Sequence, residues 1–440
     1  MKKLIILTTV ASFFLALVGC ESKEEKDFDT VDAEYIEENL GSENFVLIDA
    51  RDNSYFIGNT SEDTENGGHI TGATDFSANW LDVKDVDERL AVAMEDKGIN
   101  EDIEVVVYDT NEEDAIAVAE YFTKEGIEDV KIFSAKDYIN ENADKLTSYE
   151  NYQYFLPAYG VNQLLEGNDY QGIKADNVKF FEASWGEEEV SYTNGHVPTS
   201  VHINTDEIES APLWSLNSDE DLIKFLDNNG IMKDDTIILS GNGGHMATSR
   251  IAVILRYLGV EDVHILNGGI EAYERAGYEL ETDSNPKVAE KTDIIQPLNP
   301  DLIDTMDEAK EIISSDDSIL LDIRTEAEWL GETSGYSDLE NQGRIKGAIF
   351  HGGVKGETPG DVFDYTNVDG TMRNFDEVLA MWENAGIDYE KHLSFYCGSG
   401  WRTAEVLMYG NTYGMDNLSM YSNGWYEWST YMSDEIETGK

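Results

Sequence analysis

One supersecondary pattern recurs three times along the 440 residues, and that recurrence restricts the folds open to the chain. Each copy carries a short apolar run that ends in an acid: Phe45-Val46-Leu47-Ile48-Asp49, Val178-Lys179-Phe180-Phe181-Glu182 and Ile319-Leu320-Leu321-Asp322. A glycine turn follows, as Gly68-His69-Ile70-Thr71-Gly72-Ala73, Gly195-His196-Val197-Pro198-Thr199-Ser200 and Gly343-Arg344-Ile345-Lys346-Gly347-Ala348. Next comes a second apolar run (Ile103 to Tyr108, Thr236 to Ser240, Leu393 to Tyr396), then a loop and an amphipathic helical stretch. A third run closes each unit at 130–133, 263–266 and 418–421. A spacing of roughly 120–150 residues is that of whole domains and is too long for a solenoid repeat. Apolar runs of strand length alternating with helical patterns specify α/β units with parallel strands. The sequence therefore predicts three tandem α/β domains, each a mostly parallel sheet flanked by helices on both faces. Their functional loops are expected at the carboxyl ends of the strands.

The first 19 residues read as a lipoprotein signal peptide. Lys2 and Lys3 precede an apolar run from Leu4 to Val18, which is shorter than the roughly 20 residues of a spanning helix. The run ends in Leu17-Val18-Gly19-Cys20, which resembles a lipobox. A lipidated Cys20 would become the mature N-terminus and tether a soluble body to the outer face of a bacterial cell membrane, or in a periplasm. A plain cleaved signal peptide or an N-terminal anchor helix is the alternative. Residues 20–30 read as a linker, and the three domains are placed at 31–148, 149–285 and 293–440. Asp283-Ser284-Asn285-Pro286 marks the second boundary.

Acids outnumber bases by 90 to 30, a formal charge of −60. Loss of residues 1–19 removes two lysines and no acid, so the mature chain is slightly more negative still. A surface of this sign excludes nucleic acid as a partner, because such binding needs local positive charge. It suits a highly soluble body, expected to be a monomer. The two cysteines are Cys20 and Cys397. With Cys20 lipidated, the body has one thiol and no internal disulfide, so Cys397 is either a chance buried residue or a reactive one.

Its surroundings favour reactivity. Phe395-Tyr396-Cys397-Gly398-Ser399-Gly400-Trp401-Arg402-Thr403 reads as a strand end and turn, with a helix predicted from Ala404. Two glycines let the backbone curl until successive N–H groups face one atom. The helix start adds partial positive charge and Arg402 a full one. Together they favour thiolate and predict a thiol below its free value of about 8.5. The same donors suit a persulfide anion. Cys397 is thus the candidate nucleophile, and Gly398, Ser399, Gly400, Trp401, Arg402 and Thr403 are the candidate substrate- and persulfide-binding residues. A merely structural cysteine leaves Gly398, Gly400 and Arg402 without a purpose.

The succession of Asp322-Ile323-Arg324, the glycine turn, the strand ending in Tyr396-Cys397 and the closing Asn267-Gly268-Gly269 or Ser422-Asn423-Gly424-Trp425 resembles the rhodanese family. The resemblance covers essentially everything after residue 30, three times over, and follows the exported three-domain type. It implies a ping-pong sulfurtransferase without a cofactor: Cys397 takes the outer sulfur of thiosulfate and passes it to cyanide or a thiol. A mercaptopyruvate-type activity, or a persulfide carrier serving a protein partner, are the alternatives it leaves. Cys397 and Arg402 are five positions apart, one fewer than in the related phosphatase and arsenate reductase loops. One departure stands out: where many two-domain members place a substrate-binding arginine, this chain has Glu328. Arg324 reads as the structural partner of a neighbouring acid.

The resemblance makes the other copies inactive. Domain one has Asp109 at the nucleophile position, within an acidic run that should repel anions, and domain two has Gly241 there. Of the seven histidines, His196 and His202 are the closest pair, with no third ligand, so no metal site is expected. Trp425, Tyr426, Trp428 and Tyr431 are expected in the core. To draw a dianion into so acidic a protein, some of Arg344, Lys346, His351, Lys355, Arg373 and Arg402 are expected to ring the pocket mouth.

Overall fold

The computed structural model describes residues 28–242, 244–351 and 362–440. The signal peptide, Cys20 and Lys355 lie outside these residues. Domain one is built on strands β1 (Asp29–Thr30), β2 (Phe45–Asp49), β3 (Thr74–Asp75), β4 (Glu104–Asp109) and β5 (Val130–Ser134). Domain two has β6 (Phe155–Leu156), β7 (Val178–Ser184), β8 (Val201–Asn204), β9 (Thr236–Ser240) and β10 (Val263–Leu266). Domain three has β11 (Ile303–Asp304), β12 (Ser318–Asp322), β13 (Ile349–Phe350), β14 (His392–Tyr396) and β15 (Leu418–Tyr421). Counting within a domain, each sheet runs first, fifth, fourth, second, third. All its pairings are parallel. The runs Val105-Val106-Val107 and Ile237-Ile238-Leu239 are wholly buried, as central parallel strands covered on both faces must be.

The loop after the fourth strand of each sheet leads into a helix: α1 (Glu113–Lys124), α2 (Met246–Leu258) and, in domain three, α4 (Trp401–Tyr413). A short helix, α3 (Glu326–Leu330), follows β12, and α5 (Gly424–Tyr431) follows β15. The sequence places the start of α4 at Ala404. The helix begins at Trp401 instead, because Gly400 turns left-handed (φ 98°) and caps it. Arg402 therefore lies in the first turn.

Domains two and three are fused through one core. Ile251, Leu255 and Leu258 of α2 share a buried cluster with Val406, Leu407 and Met408 of α4. Domain three also reaches domain one, where Val368 enters the core and Lys97 is clamped by Asp75 (2.8 Å) and Glu377 (2.6 Å). Trp425, Tyr426 and Trp428 are buried as expected, but Tyr431 is 64% exposed. It is the last residue of α5, where the helical face turns out to solvent. No helix among the described residues is long and apolar enough to cross a membrane.

The α2–α4 contact buries a proton chain. His245 Nε2 accepts from Gly268 N (2.8 Å), which leaves Nδ1–H for the Tyr409 oxygen (2.8 Å). Tyr409 in turn donates to Glu405 (2.7 Å). Burial pushes the Glu405 carboxyl up to about 7. Its folded pKa thus lies above the ordinary value of 4.5, so stability is lost as pH rises from about 4.5 to about 7. Glu405→Gln should match the wild type in urea unfolding at pH 4. At pH 8 it should be more stable, by an amount on the order of 3 kcal/mol. Equal stabilities at pH 8 would show that the carboxylate costs nothing there.

Candidate active site

The second strand of each outer domain ends in a fixed cluster. Arg324 grips Asp322 with Nε (2.9 Å) and Nη2 (2.6 Å) and also bonds the Gly343 carbonyl (2.7 Å). Arg51, Asp49 and Gly68 repeat those three bonds in domain one. A tyrosine at the end of the fourth strand, Tyr396 as its last residue or Tyr108 as its last but one, donates to the same acid. This makes Arg324 a structural residue, and it fixes the strand ends from which the next residue, Cys397, projects.

Cys397 is 1% exposed. Gly400 N donates to its Sγ at 3.3 Å, and Thr403 Oγ1 lies at 3.9 Å. Behind the loop, Trp425 N and Tyr426 N at the start of α5 donate to the carbonyls of Cys397 (2.8 Å) and Gly398 (3.1 Å). With its carbonyls held from behind, the loop turns its amides toward sulfur. Burial pushes the thiol up. The Arg402 charge and the N–H groups of Thr403, Gly400 and Ser399 outweigh that and leave it below its ordinary value.

Arg402 acts at a distance. Its fork is taken by Glu328, with Nη1–Oε2 and Nη2–Oε1 both at 3.0 Å, and Nη2 also donates to Tyr336 Oη (3.1 Å). Glu328 is fully buried and closes a capping box with Thr325 at the start of α3. Burial opposes its ionisation, but the Arg402 and Arg324 charges hold its carboxyl at about 2. The acid standing where an arginine was looked for thus anchors the loop arginine. Tyr336 covers the site: a Cβ on Gly398 would lie 1.8 Å from its hydroxyl, so only glycine allows the approach. Burial raises the phenol above its ordinary value and keeps it a hydrogen-bond donor.

Trp401 Nε1 donates to Glu209 of domain two at 2.6 Å. Glu209, Arg250 and Tyr336 are site residues that no local motif announces. Of the cations expected to ring the mouth, Arg402 stands close enough to lower the Cys397 thiol but is paired with Glu328, and the other described ones are engaged as well. Arg344 bonds the Gly439 carbonyl (2.6 Å) and pairs with Glu437, while Lys346 pairs with Glu435. Arg373 is held by Asp96 and Glu377, and burial pushes His351 down toward the neutral form. In a chain with three acids per base, Arg344, Lys346, Arg373 and Arg402 are each paired with a carboxylate. Two surface clefts of about 530 and 510 Å³ open elsewhere, and neither is lined by the Cys397 loop.

The silent copies differ from each other. In domain one the amides still converge on an anion, but it is the chain's own. Asp109 Oδ1 accepts from Asn111 N (3.0 Å), and Oδ2 accepts from Asp114 N (2.8 Å) and Ala115 N (3.0 Å). The loop therefore does not simply repel anions, as its acidic sequence suggests. In domain two a Cβ at Gly241 would meet the Ala183 carbonyl at 2.9 Å and Thr248 Cγ2 at 3.1 Å, so a nucleophile has no room. His196 stacks on Tyr192 and His202 bonds Glu182. No group of three or more possible metal ligands occurs among the described residues.

A family model described as a rhodanese-like domain matches residues 32–135, 170–276 and 305–431. The chain is 34% identical over 403 residues to the thiosulfate sulfurtransferase YnjE of Escherichia coli, covering 91% of each. It is 24% identical to the sulfur carrier protein TtuD of Thermus thermophilus, covering 64% of this chain and 99% of that protein. Among solved structures, a persulfide form of EanB with ergothioneine superposes with a TM-score of 0.87 at 31% identity, covering 93% of this chain and all of that one. The anaerobic ergothioneine biosynthesis enzyme of Chlorobium limicola, in complex with trimethyl histidine, gives 0.86 at 31% identity, with 94% and 100% coverage.

Proposed function

Because the chain belongs to the rhodanese family, with three tandem copies of its domain, we propose that it moves a sulfane sulfur from thiosulfate to a thiophilic acceptor through a persulfide on Cys397. The Cys397 thiolate attacks the outer sulfur of thiosulfate, a Cys–S–S⁻ anion forms, and sulfite leaves with the electron pair of the broken S–S bond. Cyanide or a thiolate then takes the terminal sulfur and the Cys397 thiolate returns. No general base is required, since the loop already favours the ionised thiol. The observation that carries this reading is the Gly400 N–Sγ bond beside the Arg402 charge. The body works as a monomer tethered through a lipidated Cys20, a reading supported by the Leu17-Val18-Gly19-Cys20 stretch.

A second reading has its own support. Arg344, Lys346, Arg373 and Arg402 are each paired with a carboxylate, which weakens their pull on a small dianion. Two similar structures hold ergothioneine or trimethyl histidine, so a zwitterionic organic partner without net charge suits this site better than a dianion does.

Thiosulfate and mercaptopyruvate should be assayed side by side with cyanide, and trimethyl histidine tested as acceptor. Thiocyanate from thiosulfate, with one added sulfur on Cys397 by mass spectrometry, is the expected outcome. Sulfur passing to trimethyl histidine and not to cyanide supports the second reading. No sulfur on Cys397 from any donor would end both.

A further inference from the structure

Glu209 and Arg250 belong to the silent second domain, yet their outward side-chain bonds run to domain three. Glu209 opens a small hairpin (Glu209–Ser210 paired with Ser215–Leu216), and Arg250 lies on α2. Both are buried, at 2% and 0% exposure. Arg250 Nε bonds Glu209 Oε2 at 3.2 Å, which joins the pair. Beyond it, Glu209 Oε1 accepts from Trp401 Nε1 (2.6 Å) and Arg250 Nη1 donates to Ser422 Oγ (2.8 Å). A Cβ on Gly400 would stand 2.5 Å from Arg250 Nη1, so the guanidinium lies directly against the left-handed turn of the loop. The same hairpin makes a further contact, Leu216 N to Asn423 Oδ1 at 3.1 Å. Gly400 presents its N–H to Cys397 sulfur, and Ser422-Asn423 leads into the helix start that holds the loop carbonyls. Domain two thus touches the loop on both sides of its curl.

A buried ion pair adds little stability over apolar residues of equal size, and its attested value lies in fixing one geometry. We propose that Glu209 and Arg250 are positioning residues for Cys397: the inactive domain holds the Gly400–Trp401 turn so that the loop amides stay on sulfur. The inference rests on the persulfide reading for its biological meaning, but the experiment separates the two.

The variant is Arg250→Met with Glu209→Gln, which leaves neither partner charged and buried alone. The readout is the rate of Cys397 alkylation by iodoacetamide, an uncharged reagent, from pH 5 to pH 10. The charged or titratable groups around the sulfur are Arg402, Glu328 and Tyr336 from domain three, with Glu209 and Arg250 behind. Arg402 and Glu328 keep their charges over this range, and the raised phenol stays protonated through its neutral part. Loosening the turn should move the alkylation midpoint up by about one unit, an about tenfold slower reaction near neutral pH, with little change on the alkaline plateau. Sulfur-transfer kcat should fall with it while KM stays near its wild-type value. Arg250→Lys, which restores the charge toward Glu209, should recover part of the shift. An unchanged midpoint in the folded double variant overturns the proposal. Should that variant not fold, Trp401→Phe removes one strut while leaving the ion pair intact, and an unchanged midpoint there overturns it equally. Failure of the wild type to form a persulfide, with the midpoint still shifting, would remove the sulfurtransferase reading and leave this one standing.

Discussion

Cys397→Ser is expected to lower thiocyanate formation from thiosulfate at least about a thousandfold, because covalent catalysis is lost and not merely weakened. A serine hydroxyl does not ionise near neutral pH, so the converging amides and the Arg402 charge meet a neutral oxygen that cannot carry sulfur. The fold should survive, since the exchange trades one small buried side chain for a smaller one and surrounding contacts are mostly backbone. A loss within about 1–2 kcal/mol in urea unfolding is anticipated. Steady-state turnover and intact-protein mass after thiosulfate treatment check both halves. Residual transfer above a few per cent would move the chemistry off this loop altogether.

The second large effect concerns stability. Arg402→Ala should cost about 3–5 kcal/mol, because it strands the Glu328 carboxylate in the interior. The pH dependence identifies the cause. Glu328 is held at about 2, below the ordinary 4.5, so its contribution is fully present above about pH 4.5 and is lost as pH falls toward 2. In the wild type that contribution is on the order of 3 kcal/mol. In Arg402→Ala the acid-side loss should vanish or reverse, since protonating a stranded carboxylate relieves it. Urea titrations at pH 7, 4.5 and 3 on both proteins test this, and parallel acid-side losses would place the effect elsewhere. The same variant should also raise the Cys397 thiol, because the largest force lowering it is the Arg402 charge.

Much of the architecture was legible because it is written in contiguous residues. Central strands bury both faces, so Val105-Val106-Val107 and Ile237-Ile238-Leu239 appear as unbroken apolar runs. The Cys397 loop is local in the same sense, with its glycines, its arginine and its helix start all within a few positions. Arg324 could be read as the partner of a neighbouring acid, and that acid is Asp322, two positions away. What escaped was everything assembled across distance. Glu328 looked like a lost ligand because its partner lies 74 positions away. Glu209 meets Trp401 across 192 positions, and nothing in the hairpin sequence signals that contact. Tyr336 gave no signal at all, since its role depends on the space above Gly398. The pairing of Arg344, Lys346 and Arg373 has a different origin: in so large an acid excess a cation readily meets a carboxylate, and the composition already implied it. The early start of α4 escaped because a left-handed glycine cap is decided by φ, which Gly400 shares with many loop glycines.

The Asp109 loop of domain one bears on what an active loop needs at rest. A ring of inward amides is a host that is incomplete without a guest, and in domain one the guest is tethered to its host by a methylene group and never departs. The Cys397 loop holds its guest on the same one-methylene tether, but that guest carries charge only when the thiol ionises. Its guest is the thiolate itself, so the ionised sulfur is a structural counter-ion as well as a reagent. By that logic, blocking Cys397 with a neutral group evicts the charge around which the loop is wound. Exchanging cysteine for aspartate at this one position keeps the host intact and ends its chemistry, which is the state in which domain one is found.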